Sequence, residues 1–214
     1  MFFDRRSAGF SLASRLREEP QPVVVGIARG GTIVGSSVAT ALGAALDVLV
    51  IRKIGHPLQP ELAIGAVSSS GDRVTNEGAF ELEAAPLEAL FAQRLLDAQA
   101  LAQRLREGAQ PVPLRDRTAI IVDDGIATSA TMRCAVAYAK RSAARVVCAS
   151  PVGPASCIDT LARQCDRVVA LNVSRTESFA VSRYYVRFDE VSEDEVRKQL
   201  RRAAQRNRKS QGAS

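Results

Sequence analysis

Short runs of β-branched and aliphatic residues alternate with helical segments along most of the chain, and this alternation constrains the fold more than any other feature. The run "VVVGI" (23–27) lacks polar alternation, as expected for a strand buried on both faces. The segment "TIVGSSVATALGA" that follows has helical composition and ends at Gly43, and "LDVLVIRK" (46–53) is a second strand. Together they predict a βαβ unit with a right-handed crossover.

The same alternation resumes after residue 117. The C-terminal helix is predicted to start with a capping box, because Ser192 stands three residues before Glu195. We predict an α/β fold: a mostly parallel, doubly wound sheet flanked by helices. The remaining predicted strands are 118–122, 145–150 and 167–172, and the other helices are 5–17, 81–107, 130–141, 154–164 and one from about 192.

Residues 54–77 interrupt this alternation. The segment contains two prolines and several glycines among short strand-like pieces, which predicts an extended loop or hairpin excursion. Excursions of this length inside a compact domain usually have a function, so we expect 54–70 to be a mobile loop beside the active site.

The length of 214 residues and the distribution of charge indicate one domain over residues 1–200 with a basic tail, 201–214. The formal charge of +6 lies mostly in residues 196–214, which hold seven basic residues and no acid. Cations are favourable near a helix C-terminus, so the tail does not require nucleic acid as a partner, and none is expected.

The cysteine pattern and the N-terminus bear on the cellular compartment. No C-x-x-C spacing occurs among the cysteines, which predicts buried, reduced thiols and a cytoplasmic protein. The N-terminus lacks a secretory signal, and no apolar run approaches membrane-spanning length. The cysteines are Cys134, Cys148, Cys157 and Cys165.

The candidate chemistry is concentrated in "AIIVDDGIATSATM" (119–132), where a strand ends at Asp123 and Asp124. Backbone N–H groups of 126–131 could hold a phosphate at the start of the next helix, and the acids would face sugar hydroxyls or a metal. A Walker nucleotide loop is excluded because the segment lacks lysine. A receiver domain and simple capping by the two acids remain alternatives.

The segment resembles the phosphoribosyl pyrophosphate (PRPP) signature of type I phosphoribosyltransferases. "VVVGIARGGTIVG" is similar to the pyrophosphate loop of that family, and "DVLVIRKIGHPLQPELAIGAV" and "SFAVSRYYVRFDEVSEDEV" resemble a bacterial subgroup of predicted phosphoribosyltransferases. The resemblance covers roughly residues 4–200. It implies the type I fold, with a small hood over the site and a mobile loop.

The resemblance assigns the signature residues to PRPP. Asp123 and Asp124 would bind the ribose 2- and 3-hydroxyls, and the following loop would hold the 5-phosphate. Ser129 departs from the family, which most often has glycine there, and this suggests a helix-like or otherwise permitted backbone at that position. The loop residues implied are Gly125, Ile126, Ala127, Thr128, Ser129, Ala130 and Thr131.

The other end of PRPP would meet the first loop. Gly30 and Gly31 would let backbone amides approach pyrophosphate, and Arg29 would offer a planar fork to its oxygens. The resemblance also implies a cis non-proline peptide beside Arg29. Arg52 and Lys53, read as the end of the second strand, would neutralise the leaving pyrophosphate.

Three further features concern the acceptor and proton transfer. Aromatic residues cluster near the C-terminus, and a planar base could stack there, with Tyr185 as the candidate; packing of the last helix is the alternative. Glu61 is a candidate for proton transfer or metal contact, and His56 is interpreted as loop structure. The aromatic residues are Phe179, Tyr184, Tyr185 and Phe188.

The resemblance implies transfer of a phosphoribosyl group from PRPP to a nitrogenous base or amine, with release of pyrophosphate. The catalytic residues would be Arg29, Lys53, Asp123 and Asp124. Mg²⁺ is the expected cofactor and would be held mainly by PRPP and water. Asp123 and Asp124 are the candidate protein ligands. A homodimer is expected by analogy. The alternatives are a PRPP-sensing regulator without turnover and an enzyme acting on another phosphorylated sugar.

Overall fold

The computed structural model describes residues 1–76, 83–176 and 179–211, apart from the side chains of residues 60, 61 and 209–211. Its helices are α1 (Arg5–Ala13), α2 (Gly30–Leu42), α3 (Ala84–Arg106), α4 (Ser129–Lys140), α5 (Ala155–Ala162) and α6 (Glu193–Gln211). Its strands are β1 (Pro22–Ile27), β2 (Ala45–Leu49), β3 (Ile51–His56), β4 (Gln59–Ser68), β5 (Arg73–Thr75), β6 (Thr118–Val122), β7 (Arg145–Pro154) and β8 (Arg167–Ser174).

A five-stranded parallel sheet in the order β2-β1-β6-β7-β8 forms the centre of the molecule. Side chains of β1 alternate between two hydrophobic clusters, because successive strand residues point to opposite faces. Val24 packs with α1 and α2 on one face, whereas Val23 and Val25 pack with α4 on the other. The predicted doubly wound α/β fold is confirmed.

The direction of winding reverses between β1 and β6. From β1 the chain crosses through α2 to β2 at one edge, and from β6 it crosses through α4 to β7 and on to β8 at the other. The two strands are direct neighbours, with Val24 opposite Ile120. Reversal points of this kind open a crevice at the carboxyl ends of the strands, and ligands bind there in open α/β sheets.

The predicted second strand, 46–53, is wrong as a single element. The chain leaves the parallel sheet after Leu49, and Ile51 begins a separate antiparallel sheet in the order β3-β4-β5. The sequence gives no sign of this boundary because the apolar run continues through it. Val50 at the junction is apolar and only 1% exposed. The hairpin reading of 54–77 is confirmed over the described residues up to 76. The small sheet has its own cluster of Ile54, Ile64, Val67 and Phe91.

Other boundaries differ from prediction by a few residues. Helix α1 ends at Ala13, and β7 and β8 continue to Pro154 and Ser174. The capping box before α6 is present: Glu195 N donates to Ser192 Oγ at 3.2 Å, and Ser192 N donates to Glu195 Oε2 at 3.0 Å. Helix α6 extends to Gln211 and so includes most of the predicted basic tail.

The four cysteines are free thiols. Cys134 and Cys148 are buried as predicted, whereas Cys157 and Cys165 are only partly buried. Among the described residues, none of the helices combines the length and hydropathy that a bilayer-spanning segment needs.

The N-terminal residues pair with a segment near the C-terminus. Phe2 N donates to Tyr184 O, Val186 N donates to Phe2 O and Arg187 N donates to Phe3 O, each at 2.8 Å. The segment they meet follows a 3-10 helix at Val181–Tyr184 and leads into α6. We call residues 179–189, with residues 2 and 3, the hood.

Candidate active site

Two loops meet at the reversal point of the sheet. Residues 28–29 connect β1 to α2, and residues 123–128 connect β6 to α4. Each loop leads directly into a helix N-terminus, where backbone N–H groups and the helix dipole favour anions. The sequence-predicted phosphate and pyrophosphate segments are therefore brought together at one edge of the sheet.

Asp123 and Asp124 stand side by side at the base of this crevice, and both are partly buried. Asp124 N donates to Asp123 Oδ1 at 2.9 Å, which fixes the first carboxylate against the backbone of the second. Burial raises the pKa of Asp123 well above its ordinary value, and the neighbouring charge of Asp124 raises it further. This shifted pKa in a crevice is typical of a functional site.

Lys53 and Arg52 lie on β3 in the small sheet rather than at the end of the second parallel strand. The positive charge of Lys53 lowers the pKa of Asp123, which opposes the effect of burial. Consecutive strand residues point to opposite faces, so Arg52 projects away from the side on which Lys53 lies. Lys53 is therefore within electrostatic reach of Asp123, and Arg52 lies on the opposite face of β3.

The loop after Asp124 is anchored at its start and open at its end. Ile126 is 2% exposed, and its N–H donates to Val152 O at 2.9 Å. Ala127 and Thr128 are exposed. Thr128 is the N-cap of α4 with extended backbone (φ −136°, ψ 149°), and its side chain makes no capping hydrogen bond. The Ser129 N–H faces the Cys157 sulfur, and the amides that follow it point toward the helix N-terminus, where an anion is favoured.

The remaining residues of this loop have distinct settings. Ser129 is the first residue of α4, so its backbone is helical and serine needs no special conformation there, as predicted. Ala130 is buried and Thr131 is partly buried. Gly125 is required by packing, because a Cβ there would overlap the side chain of Val181 in the hood.

The first loop contains the predicted cis non-proline peptide, between Ala28 and Arg29. Gly30 and Gly31 have a packing reason in addition to the predicted one. A Cβ on Gly30 would overlap the Asp124 carboxylate, and one on Gly31 would lie 2.5 Å from Val122 O. The two glycines therefore allow α2 to pack directly against the acid pair.

Arg29 is engaged by a residue that the sequence did not single out. Arg29 Nη2 donates to Glu190 Oε1 at 2.6 Å, and the side chain of Glu190 is 82% exposed. The guanidinium is thus partly exposed and is paired with a carboxylate that solvent also reaches. No sequence pattern signals this pair, because its members are 161 residues apart.

Arg5 is the second site residue that sequence reasoning missed. Its Nε donates to Asp124 Oδ2 at 2.7 Å, and its Nη1 donates to the backbone oxygen of Asp189 at 2.7 Å. The guanidinium carbon lies 3.8 Å from the centroid of the Phe188 ring, a cation–π contact. Arg5 therefore links the acid pair to the hood.

Tyr185 faces the protein interior. It is 5% exposed, and its hydroxyl donates to Asp124 O at 2.6 Å. Its ring lies 5.7 Å from Phe2 and 4.9 Å from Phe188, and burial raises its pKa above the ordinary value. Tyr185 thus supports the backbone of the acid pair. Phe179 and Tyr184 are partly buried, with ring centroids 5.7 Å apart.

The other predicted candidates lie in the small sheet. His56 Nδ1 accepts a 3.2 Å hydrogen bond from Leu58 N, which agrees with its interpretation as loop structure. The side chain of Glu61 lies outside the described part of the chain. Within the described residues, no group of three His, Cys, Asp or Glu side chains could hold a metal.

The fold and the site define a class: an α/β domain whose acid pair and uncapped helix N-terminus meet at the reversal point of a parallel sheet. The sequence profile of the phosphoribosyl transferase domain family matches residues 8–184, and the chain belongs to that family. It has the type I phosphoribosyltransferase fold.

Particular relatives agree with this membership. The chain is 43% identical over 202 residues to a protein provisionally named a phosphoribosyl transferase in two strains of Mycobacterium tuberculosis, a match that covers 92% of this chain and 45% of the relative. The chain thus spans about half the length of these relatives. The crystal structure of TT1426 from Thermus thermophilus superposes with a TM-score of 0.80 at 36% identity, covering 94% of this chain and 98% of that one.

Proposed function

We propose that this protein transfers the phosphoribosyl group of PRPP to a nitrogenous acceptor, a purine or pyrimidine base or a related amine, and releases pyrophosphate. The observation that carries the proposal is the juxtaposition of Asp123 and Asp124 with the open N-terminus of α4. The acids can accept hydrogen bonds from sugar hydroxyls. The amides at the start of α4, a few residues after the acids, can bind a phosphate.

In the proposed reaction, a nitrogen nucleophile displaces pyrophosphate from C1 of the ribose. Positive charge develops on the sugar ring and negative charge on the leaving group, so catalysis depends on positioning and on preorganised charges. Asp123 and Asp124 would hold the ribose, and the amides and hydroxyls at Thr128 and Thr131 would hold the 5-phosphate. Arg29 and Lys53 would face the pyrophosphate.

Mg²⁺ fits this site as a cofactor shared with the substrate. The Asp123 and Asp124 carboxylates are hard oxygen donors, the type that Mg²⁺ prefers, and two of them suit an ion that keeps several waters and binds substrate phosphates. When bound, the ion would neutralise charge on the leaving pyrophosphate. The acids would contribute at most one or two of its ligands, and PRPP and water the rest.

The hood would cover the acceptor. Phe179 and Tyr184 are partly buried rings of the hood with centroids 5.7 Å apart, and we propose them as stacking partners for a planar base. Tyr185, which we expected to stack, has its hydroxyl committed to the backbone of Asp124. We also propose a cytoplasmic homodimer, on the grounds given from the sequence.

Calorimetry with PRPP in the presence and absence of Mg²⁺ tests binding, and pyrophosphate release with a panel of bases and amines tests turnover. We expect binding that requires Mg²⁺ and release with at least one acceptor. Binding without release for every acceptor would favour the regulatory alternative. Absence of PRPP binding would reject the proposal and direct the screen to other phosphorylated sugars.

A further inference from the structure

We infer that Arg5 is a positioning residue of the sugar site, which holds one oxygen of Asp124 and leaves the other for the ribose. The inference rests on the proposed function. Its starting point is the three-way contact of Arg5 with Asp124, Phe188 and Asp189, which joins α1 to the loop after β6 and to the hood.

Burial makes this contact different from an ordinary surface ion pair. The Arg5 and Asp124 side chains are 12% and 17% exposed, and the Nε–Oδ2 distance is 2.7 Å. Exposed pairs are screened by solvent and contribute little, whereas a charge-assisted hydrogen bond with reduced solvent access is stronger and directional. Oδ2 of Asp124 is therefore fixed, and Oδ1 is the oxygen left for a ligand.

Arg5 itself has little freedom to move. Its Nη1 donates to Asp189 O, and the Phe188 ring lies against the guanidinium plane. The planar fork of arginine makes both hydrogen bonds from one rigid group, which the single ammonium of lysine cannot reproduce in the same geometry. Asp124 is consequently oriented by the hood through Arg5 as well as by its own loop.

The charge of Arg5 lies against Asp124. Asp123 and Asp124 are adjacent carboxyl groups, and Arg5 Nε and the Gly30 backbone both lie beside Oδ2 of Asp124, so the guanidinium compensates the charge of Asp124 at that oxygen. The residues that face this pair from the surrounding elements are Arg5 of α1, Gly30 and Gly31 of α2, Lys53 of β3 and Tyr185 of the hood. Of these five residues, only Arg5 and Lys53 are cationic. A variant without Arg5 therefore keeps only Lys53 among them.

The test compares two ligands on three proteins: wild type, Arg5→Gln and the matched control Arg6→Gln. Arg6 is the adjacent, exposed arginine on α1. Calorimetry is performed with PRPP and, separately, with pyrophosphate, both in Mg²⁺. Pyrophosphate lacks ribose hydroxyls, so a sugar-positioning residue affects PRPP selectively, whereas general damage to the site weakens both ligands.

We expect Arg5→Gln to weaken PRPP binding about tenfold to a hundredfold, the range for hydrogen bonds to charged groups, and to change pyrophosphate binding less than about twofold. Arg5→Lys should fall between wild type and Arg5→Gln, because it restores charge without the fork. Arg6→Gln should match wild type with both ligands.

Three outcomes would overturn the inference. Equal loss for both ligands would mean that Arg5 has only a structural role, and tighter PRPP binding by Arg5→Gln would mean that Arg5 blocks the site. Unchanged PRPP binding would show that Asp124 needs no partner. If Arg5→Gln fails to fold, Phe188→Leu, which removes the ring that holds the guanidinium, should show the same ligand selectivity at smaller amplitude. Failure of wild type to bind PRPP would instead reject the proposed function.

Discussion

The loop after β1 and the loop after β6 occupy neighbouring positions at the same sheet edge, yet their surroundings differ. In the first loop, Arg29 is paired with Glu190, and Gly30 and Gly31 pack against the acids. In the second, Ala127 and Thr128 are exposed, and α4 begins without a side-chain cap. One loop is closed by residues of the protein itself, and the other is open to an external ligand.

This difference shows how one crevice can treat the two ends of a substrate differently. The N-terminus of α4 has no side-chain cap from Thr128, so in the proposed complex a phosphate displaces none there. In the proposed complex, Arg29 exchanges the Glu190 carboxylate for pyrophosphate, and that exchange reduces the net gain of binding. Affinity should therefore come mainly from the sugar and 5-phosphate end.

The largest expected effect is on the acids between the two loops. Asp123→Asn and Asp124→Asn should each reduce PRPP affinity more than about a hundredfold, because charged acceptors in a partly buried site are replaced by neutral amides. Calorimetry in Mg²⁺ measures this, with Asp159→Asn on the exposed face of α5 as the control. Retained binding by both variants would remove the basis of the assignment.

Asp123→Asn should also stabilise the protein at neutral pH. The folded state raises the pKa of Asp123, so its ionised form costs stability increasingly as pH rises above the unfolded value of about 3.9. The gain in urea midpoint over wild type should therefore be present at pH 7 and vanish below about pH 4. A variant less stable than wild type at pH 7 would contradict the assigned direction of this pKa.

Gly31→Ala should overpack the contact between α2 and the loop after β6. We expect it to destabilise the protein by about 1–3 kcal/mol. The added Cβ would lie 2.5 Å from Val122 O and 2.8 Å from Asp123 Cα, which are backbone atoms. Gly35→Ala, in the same helix, is the matched control because its nearest contact is a side-chain methyl group at 3.2 Å. Urea unfolding should separate the two variants, and equal midpoints would refute this explanation of Gly31.

Thr128→Ala and Thr131→Val test the open loop. Each should weaken PRPP binding roughly three- to tenfold, about 0.5–1.5 kcal/mol for one neutral hydrogen bond, and leave pyrophosphate binding unchanged. Thr160→Ala in α5 serves as the control, since its hydroxyl bonds within its own helix to Ser156 O at 2.8 Å. A larger loss of pyrophosphate affinity than of PRPP affinity, each relative to wild type, would reverse the assignment of the two ends.

Glu190→Gln should have the smallest effect. The pair with Arg29 is exposed, so its loss should cost less than about 1 kcal/mol of stability, and pyrophosphate affinity should rise about two- to threefold as Arg29 is released. Glu88→Gln removes an exposed ion pair with Arg73 in the small sheet and should leave affinity unchanged. Lower affinity in Glu190→Gln would show that Glu190 orients Arg29 and does not compete for it.

The sequence predicted the parallel sheet and the acid pair because both depend on local patterns. A continuous run such as 23–27 identifies a buried strand, and two carboxylates before a small-residue helix start are visible without the fold. The transition after Leu49 was missed because both sheets bury it. Arg5 and Glu190 were missed because their partners lie 119 and 161 residues away, and no local pattern encodes such pairs.

The pairing of Phe2 and Phe3 with residues 184–187 determines when the site can be completed during synthesis. The strands of the crevice, β1 and β6, are both translated by residue 122, so the sheet edge can form early. The contact between Arg5 and Asp189 can form only after residue 189 has been synthesised. It closes a loop of 184 residues. Such long-range contacts form late in folding, and the nascent chain therefore acquires its sheet before its hood.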